Sequence, residues 1–222
     1  MEQRTSYSAA GQASVLQTNK VLRNTYMLLA MTLTFSAVCA GITMAMDMSR
    51  GAAMIMTLAA FVMIFFLNKA AESSMGLVFV FAFTGLLGGS LGPMLNLYAG
   101  IPGGSGLIVQ ALGATAIVFF GLSGYVLTTK KDFSFMGGFL LVGIIVAVVA
   151  MVANIFLAIP ALSLALSAAI VFIMSGFILY DTSRIMNGGE TNYIRATVSM
   201  YLNIYNLFTS ILHLLGVFGG DD

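Results

Sequence analysis

Apolar residues run through this chain in seven long blocks, covering 26–45, 52–67, 76–97, 107–127, 139–159, 162–180 and 196–218. Most approach the ~20 residues that an α-helix needs to cross the hydrocarbon core of a bilayer. The breaks between blocks carry turn formers and charge: Asp47, Asn68, Pro102-Gly-Gly-Ser105, Lys130-Lys-Asp132, Pro160 and Asn187-Gly-Gly-Glu190. The pattern predicts an all-α integral membrane protein of seven transmembrane helices. A polar segment over 1–23, rich in Ser, Gln and Asn, reads as a flexible tail because it lacks the periodicity of a buried face. The helical domain spans 24–218, and 219–222 form a short acidic end.

The seventh block differs from the other six. Arg195, Ser199, Asn203, Asn206, Ser210 and His213 recur at spacings of four, four, three, four and three residues. At 100° per residue they fall within an arc of roughly 80° on one helical face. Polar side chains facing lipid are costly, so this stripe is expected to turn inward, with six helices surrounding a central seventh. Such a stripe serves equally as a hydrated path for ions and as a ladder of hydrogen bonds between helices.

Composition agrees with lipid as the solvent. Hydrophobic residues make up 59% of 222, charged residues 8%, and the mean hydropathy is +1.01; a soluble domain carries ≈ 25% charged residues. A net charge of +1 without a basic run argues against nucleic acid as a partner. Lys and Arg set the orientation of membrane helices, and with the N-terminus inside they divide eight to one. Arg4, Lys20, Arg23, Lys69, Lys130, Lys131, Arg184 and Arg195 then lie on the cytoplasmic side and only Arg50 outside. The polar stretch before the first block is too long to head a cleavable signal peptide. Cys39 is the one cysteine, and Val38 before it stands where a lipoprotein cleavage site needs a small residue.

Within the third block Gly85 and Gly89, and likewise Gly88 and Gly92, are four residues apart. Small residues at that spacing allow helix backbones to approach closely. Pro93 is expected to kink this helix, and the carbonyl it frees must find another partner.

Candidate chemistry gathers near the sixth and seventh blocks. Asp181 follows Tyr180 at the end of the sixth. The expectation is an interfacial ion pair with Arg184 or Arg195; the alternative is a carboxylate whose protonation gates a pore. The candidate pore or gate residues are Asp181, Asn203, Asn206, Arg195 and His213. Catalysis finds little to work with. His213 stands alone, so the sequence offers neither a metal-ligand cluster nor a His dyad, and no second in-span aspartate completes a protease pair. A phosphate-binding loop is missing. The sequence reads as a non-enzyme without cofactor.

Several segments carry a family resemblance. Tyr180-Asp-Thr-Ser183, Asn192-Tyr-Ile-Arg-Ala-Thr-Val-Ser-Met-Tyr201, Tyr205-Asn-Leu-Phe208, and Phe81-Ala-Phe-Thr-Gly-Leu-Leu-Gly88 with Gly92-Pro93 resemble the signature of the Bax inhibitor-1 family. Lys20-Val-Leu-Arg-Asn-Thr-Tyr26, Tyr125-Val-Leu-Thr-Thr-Lys-Lys-Asp132 and Gly188-Gly-Glu-Thr-Asn-Tyr-Ile-Arg-Ala-Thr197 resemble its bacterial members. The resemblance implies six helices around a central seventh, in the bacterial inner membrane and among membrane lipids. It implies that relatives of the bacterial type bind the membrane-embedded protease FtsH and restrain its action on membrane substrates. Other members leak calcium ion through a pore gated by two aspartates. The first of these maps onto Asp181 and the second onto Asn203, an amide that does not titrate. The departure weighs against a pH-gated calcium leak and in favour of the FtsH partner.

Overall fold

The structure is a computed structural model that describes the backbone of residues 2–219 and the side chains of 16–219. Its elements in chain order are α1 Glu2–Ala45, α2 Arg50–Ala70, α3 Met75–Ser90, α4 Gly92–Ala99, α5 Gly104–Thr129, a 3₁₀ turn Ser134–Met136, α6 Gly137–Leu157, α7 Pro160–Met186 and α8 Tyr193–Phe218. Seven helical segments among them are long and apolar enough to span a membrane, with α3 and α4 together making one. The first span, Leu16–Ala45, starts ten residues before the expected 26. Its helical backbone continues to Glu2, through the segment read as a tail. The acidic end beyond Gly219 lies outside the described residues.

Burial runs opposite to hydropathy. The most apolar span, Ser134–Leu157, has mean hydropathy 2.9 with only 11% of its window buried, whereas Tyr193–Phe218 has 1.3 with 39% buried. Phe65, Ile117, Phe156 and Phe172 point outward, each more than 70% exposed. A surface of that kind is stable only in hydrocarbon. Polar side chains instead collect inside: Thr25, Thr32, Thr84, Thr182, Ser183 and Thr197 are fully buried. Hydroxyls of Thr25 and Thr84 donate back to the carbonyls of Val21 and Val80, 2.8 and 2.9 Å away, which satisfies them without water.

α8 holds the middle of the bundle. It packs against α1, α3, α5 and α7, while α2 lies chiefly on α3 and α6 on α7. Met200, Tyr201, Leu207 and Leu212 of α8 are almost wholly buried. The central seventh span thus has four spans directly against it and two further out.

The Pro93 break falls where the sequence places it. α3 ends at Ser90 and α4 begins at Gly92, with the proline in its first turn. Without an N–H at Pro93, the Gly89 carbonyl loses its helical donor. Thr43 Oγ1 lies 2.8 Å from that oxygen and takes the place of the missing donor. The glycines beside the break separate into two kinds. A Cβ on Gly88 would run into the backbone of Ser36, and one on Gly92 into the backbone at Thr43–Met44. At Gly85 and Gly89 it would meet mobile side chains, Phe35 and Met56. Gly88 and Gly92 therefore set how closely α1 and the third span approach.

Candidate functional site

α7 continues through Asp181 to Met186, six residues past the expected end of its block, so Asp181 sits inside a helix and not beyond one. Its neighbours follow from the 100° step between residues. Three consecutive side chains aim at three different elements. Asp181 faces α8. The Thr182 hydroxyl lies 3.3 Å from that of Ser123 on α5. The Ser183 hydroxyl accepts the Phe133 N–H at 2.8 Å and donates to Asp132 Oδ1 at 3.1 Å, pinning the segment after α5. All three are buried. The Asp-Thr-Ser sequence is thus a three-way junction.

At that junction Asp181 Oδ2 accepts two hydrogen bonds from α8, from Ser199 Oγ at 2.5 Å and from Asn203 Nδ2 at 2.7 Å. Asp181 and Asn203 are 6% and 5% exposed, so the carboxylate depends on these donors. The expected ion pair of Asp181 with Arg184 or Arg195 does not form among the described residues. Glu190 takes both arginines instead. Its Oε2 is 3.7 Å from Arg184 Nη2, and its Oε1 is 3.6 Å from Arg195 Nε. The physical reason lies in the loop: Gly188 at φ 74° reverses the chain after α7 and carries Glu190 back over the last turn. Asn192 then caps α8, its Oδ1 accepting from the N–H groups of Ile194 and Arg195. Arg195 Nη1 also reaches Glu72 at 3.7 Å, and Asn192 Nδ2 donates to the Ala71 carbonyl at 2.8 Å. The cavity between Asp181, Ser199, Glu190 and the two arginines holds about 20 Å³, room for little more than one water.

The rest of the stripe is divided. Asn206 donates to the Leu202 carbonyl of its own helix at 2.8 Å and does not bridge to α7. His213 lies ten residues beyond Asn203, roughly 15 Å along α8 at 1.5 Å per residue. Its Nδ1 is 2.8 Å from Ser167 Oγ, which itself donates to the Ser163 carbonyl at 3.0 Å. With the serine hydrogen committed there, Nδ1 is the donor of the pair. Asn154 joins the same end by donating to Ser163 Oγ at 2.7 Å. Two cavities of about 350 and 400 Å³ open beside His213.

Two contacts on the other side of α8 carried no signal in the sequence. The buried Tyr201 hydroxyl meets Ser36 Oγ at 2.6 Å and donates toward the Thr84 carbonyl at 3.2 Å. The Tyr205 hydroxyl lies 3.2 Å from Ser90 Oγ. Helical spacing cannot name these contacts, because the partners are 165 and 115 residues away. Glu190 was more legible, as an acid flanked by Arg184 and Arg195 in a short loop.

The family model described as Inhibitor of apoptosis-promoting Bax1 matches residues 18–220. The chain belongs to this family. Similar relatives extend over nearly the whole length. An uncharacterized membrane protein of Vibrio cholerae is 56% identical over 208 residues, 93% of each chain. The Escherichia coli K12 protein named Modulator of FtsH protease YccA is 52% identical over 216 residues, 96% of this chain and 97% of its own. The uncharacterized protein PA2604 of Pseudomonas aeruginosa is 48% identical over 202 residues, 91% of each. Within the Bax1-inhibitor family this chain is a membrane protein with seven spanning helices. Its buried acid is bound by a neutral amide at the position where the resemblance called for a second aspartate.

Proposed function

We propose that this protein is a non-enzymatic inner-membrane partner of the FtsH protease that restrains proteolysis of membrane substrates. The observation that carries the reading is the 52% identity, over nearly all of both chains, to the protein named Modulator of FtsH protease YccA. The eight-to-one division of Lys and Arg supports a cytoplasmic N-terminus, which puts Asp181, Glu190 and the arginines at the cytoplasmic end. In that orientation the segment over 1–23 begins on the cytoplasmic side, and we assign it as the part that the protease grips.

Affinity purification from native membranes, followed by mass spectrometry, should recover FtsH with this protein. Deleting the gene should shorten the half-life of an FtsH membrane substrate. Absence of FtsH together with an unchanged half-life would sink the proposal. A calcium or ion leak is the second reading, resting on the polar stripe and the two cavities beside His213. It puts the gate at Asp181 and Asn203, with Arg195 beside it and Asn206 and His213 along the path. The single acid at the gate disfavours the pH-controlled form, since shared-proton titration needs two carboxyls.

A further inference from the structure

α1 and α5 flank α8 on one side and leave a crevice between them. Two cavities of about 270 and 280 Å³ lie along it and share Leu33, Leu112, Thr115 and Ile204. The α1 wall runs from Tyr26 to Gly41, roughly 22 Å at 1.5 Å per residue. Leu112 and Phe120 on the α5 wall are 53% and 68% exposed, so the crevice opens sideways into the bilayer. Its lining is almost entirely apolar, which disfavours filling by water.

One polar atom in this lining lacks a partner. The Tyr26 hydroxyl is buried and makes no hydrogen bond among the described residues, while its ring packs on Phe119 across the crevice at 5.9 Å. It marks the end nearest the cationic loops. The helical register that places Tyr26, Ala30, Leu33 and Ala37 along the crevice continues one turn further to Arg23, with Lys20 beyond it. Arg23 and Lys20 are exposed and form no ion pair among the described residues.

We infer that the crevice between α1 and α5 binds one acyl chain of an anionic phospholipid, with Tyr26 and Arg23 holding the headgroup end. The apolar slot takes the chain. A small turn of the Tyr26 ring uncovers its buried hydroxyl to donate to an ester or phosphate oxygen, and the two cations favour a negative headgroup. A single alkyl chain suits the space and is the most abundant thing in reach.

The test is native mass spectrometry of the whole protein, delipidated in detergent and titrated separately with dioleoylphosphatidylglycerol and dioleoylphosphatidylcholine. One phosphatidylglycerol should be retained, about tenfold more tightly than phosphatidylcholine, a difference that ≈ 1.4 kcal/mol would supply. Tyr26→Phe should weaken retention severalfold, and Arg23→Gln should remove most of the headgroup preference. Ala116→Phe fills the crevice and should abolish retention, whereas Ile117→Phe, on the neighbouring outward face, should not. Thermal unfolding of each variant separates lost binding from lost folding. Equal retention by Ala116→Phe and Ile117→Phe in folded protein would overturn the inference, as would equal affinity for the two lipids. So would loss of a co-purifying protein from Ala116→Phe with lipid retention intact, because the occupant would then be a partner's helix.

Discussion

The two ends of α8 are built from similar side chains and solve opposite problems. At the Asp181 end, an acid, an amide and a hydroxyl meet within 2.7 Å, capped by a loop whose glutamate holds two arginines, and the space left is about 20 Å³. At the His213 end serine, asparagine and imidazole groups are joined by hydrogen bonds, and the space beside them is about 350 to 400 Å³. A buried carboxyl group forces its neighbours to converge as donors, while serine, asparagine and histidine can share a cavity without such convergence. Any movement of ions along this helix would be controlled at the acidic end.

The largest effect should come from removing the amide. Asn203→Leu strips Asp181 of one of its two donors in a buried site, and leaving a buried polar group short of a partner costs about 1–3 kcal/mol. Unfolding in detergent should show a loss of that order, and a loss below about 0.5 kcal/mol would mean that water reaches the carboxylate. Asn203→Asp gives a different readout. It recreates two facing carboxyls that share a proton, so calcium-loaded liposomes should gain a pH-dependent leak that the unmodified protein lacks. A strong pH-dependent leak from the unmodified protein would move the channel reading to first place.

The His213 end should be more tolerant. Ser167→Ala removes one hydrogen bond to His213, and a typical intramolecular hydrogen bond contributes only about 0.5–1.5 kcal/mol. The open cavity lets water replace the lost partner, which places the expected change at the lower edge of that range. A loss as large as that of Asn203→Leu would abolish the contrast between the two ends.

Glu190→Gln tests the cap. Its partners are about one-third exposed and the distances are 3.6–3.7 Å, so stability should change by less than about 1 kcal/mol. The informative measurement is access. With the two Glu190 ion pairs gone, a cysteine introduced at Ser199 should react faster with a water-soluble maleimide than in the protein with Glu190 intact, once Cys39 has been replaced. Equal rates would show that the loop does not cover the site.

Much of the fold and of the acidic end was legible where the signal is local. The stripe on α8, the Asp-Thr-Ser segment and the Pro93 break are all set by spacings within one helix, and burial in lipid leaves polar residues only one direction to face. The choice of partner was not legible. Asp181 takes Ser199 and Asn203 in preference to either arginine because Gly188 folds Glu190 across them, a consequence of one backbone angle. Asn206 has the right period for the stripe and yet bonds within its own helix, since an i−4 carbonyl competes with any neighbour. Tyr201 and Ser36 are 165 residues apart, and helical periodicity carries no information about such pairs. The α1–α5 crevice was equally hidden, because it depends on how two distant spans diverge.

The smallest effect belongs to Asp132, outside the spans and bonded to the α7 segment that carries Asp181. The Ser134 hydroxyl and its N–H, the latter 2.9 Å from Oδ1, hold this carboxyl below the usual carboxylate range, with Ser183 adding a further donor. A lowered folded-state value means that the ionised form is favoured on folding. Its stabilisation is therefore fully present above the unfolded value of about 3.9 and fades as pH falls through the folded one. The group is exposed, so the contribution is small and screened by salt. Thermal midpoints of the unmodified protein and of Asp132→Asn, measured in detergent from pH 7 down to pH 3, should differ most at pH 7 and converge toward pH 3. Midpoints separated by a constant offset across that range would show that Asp132 acts through its shape as an acceptor and not through its charge.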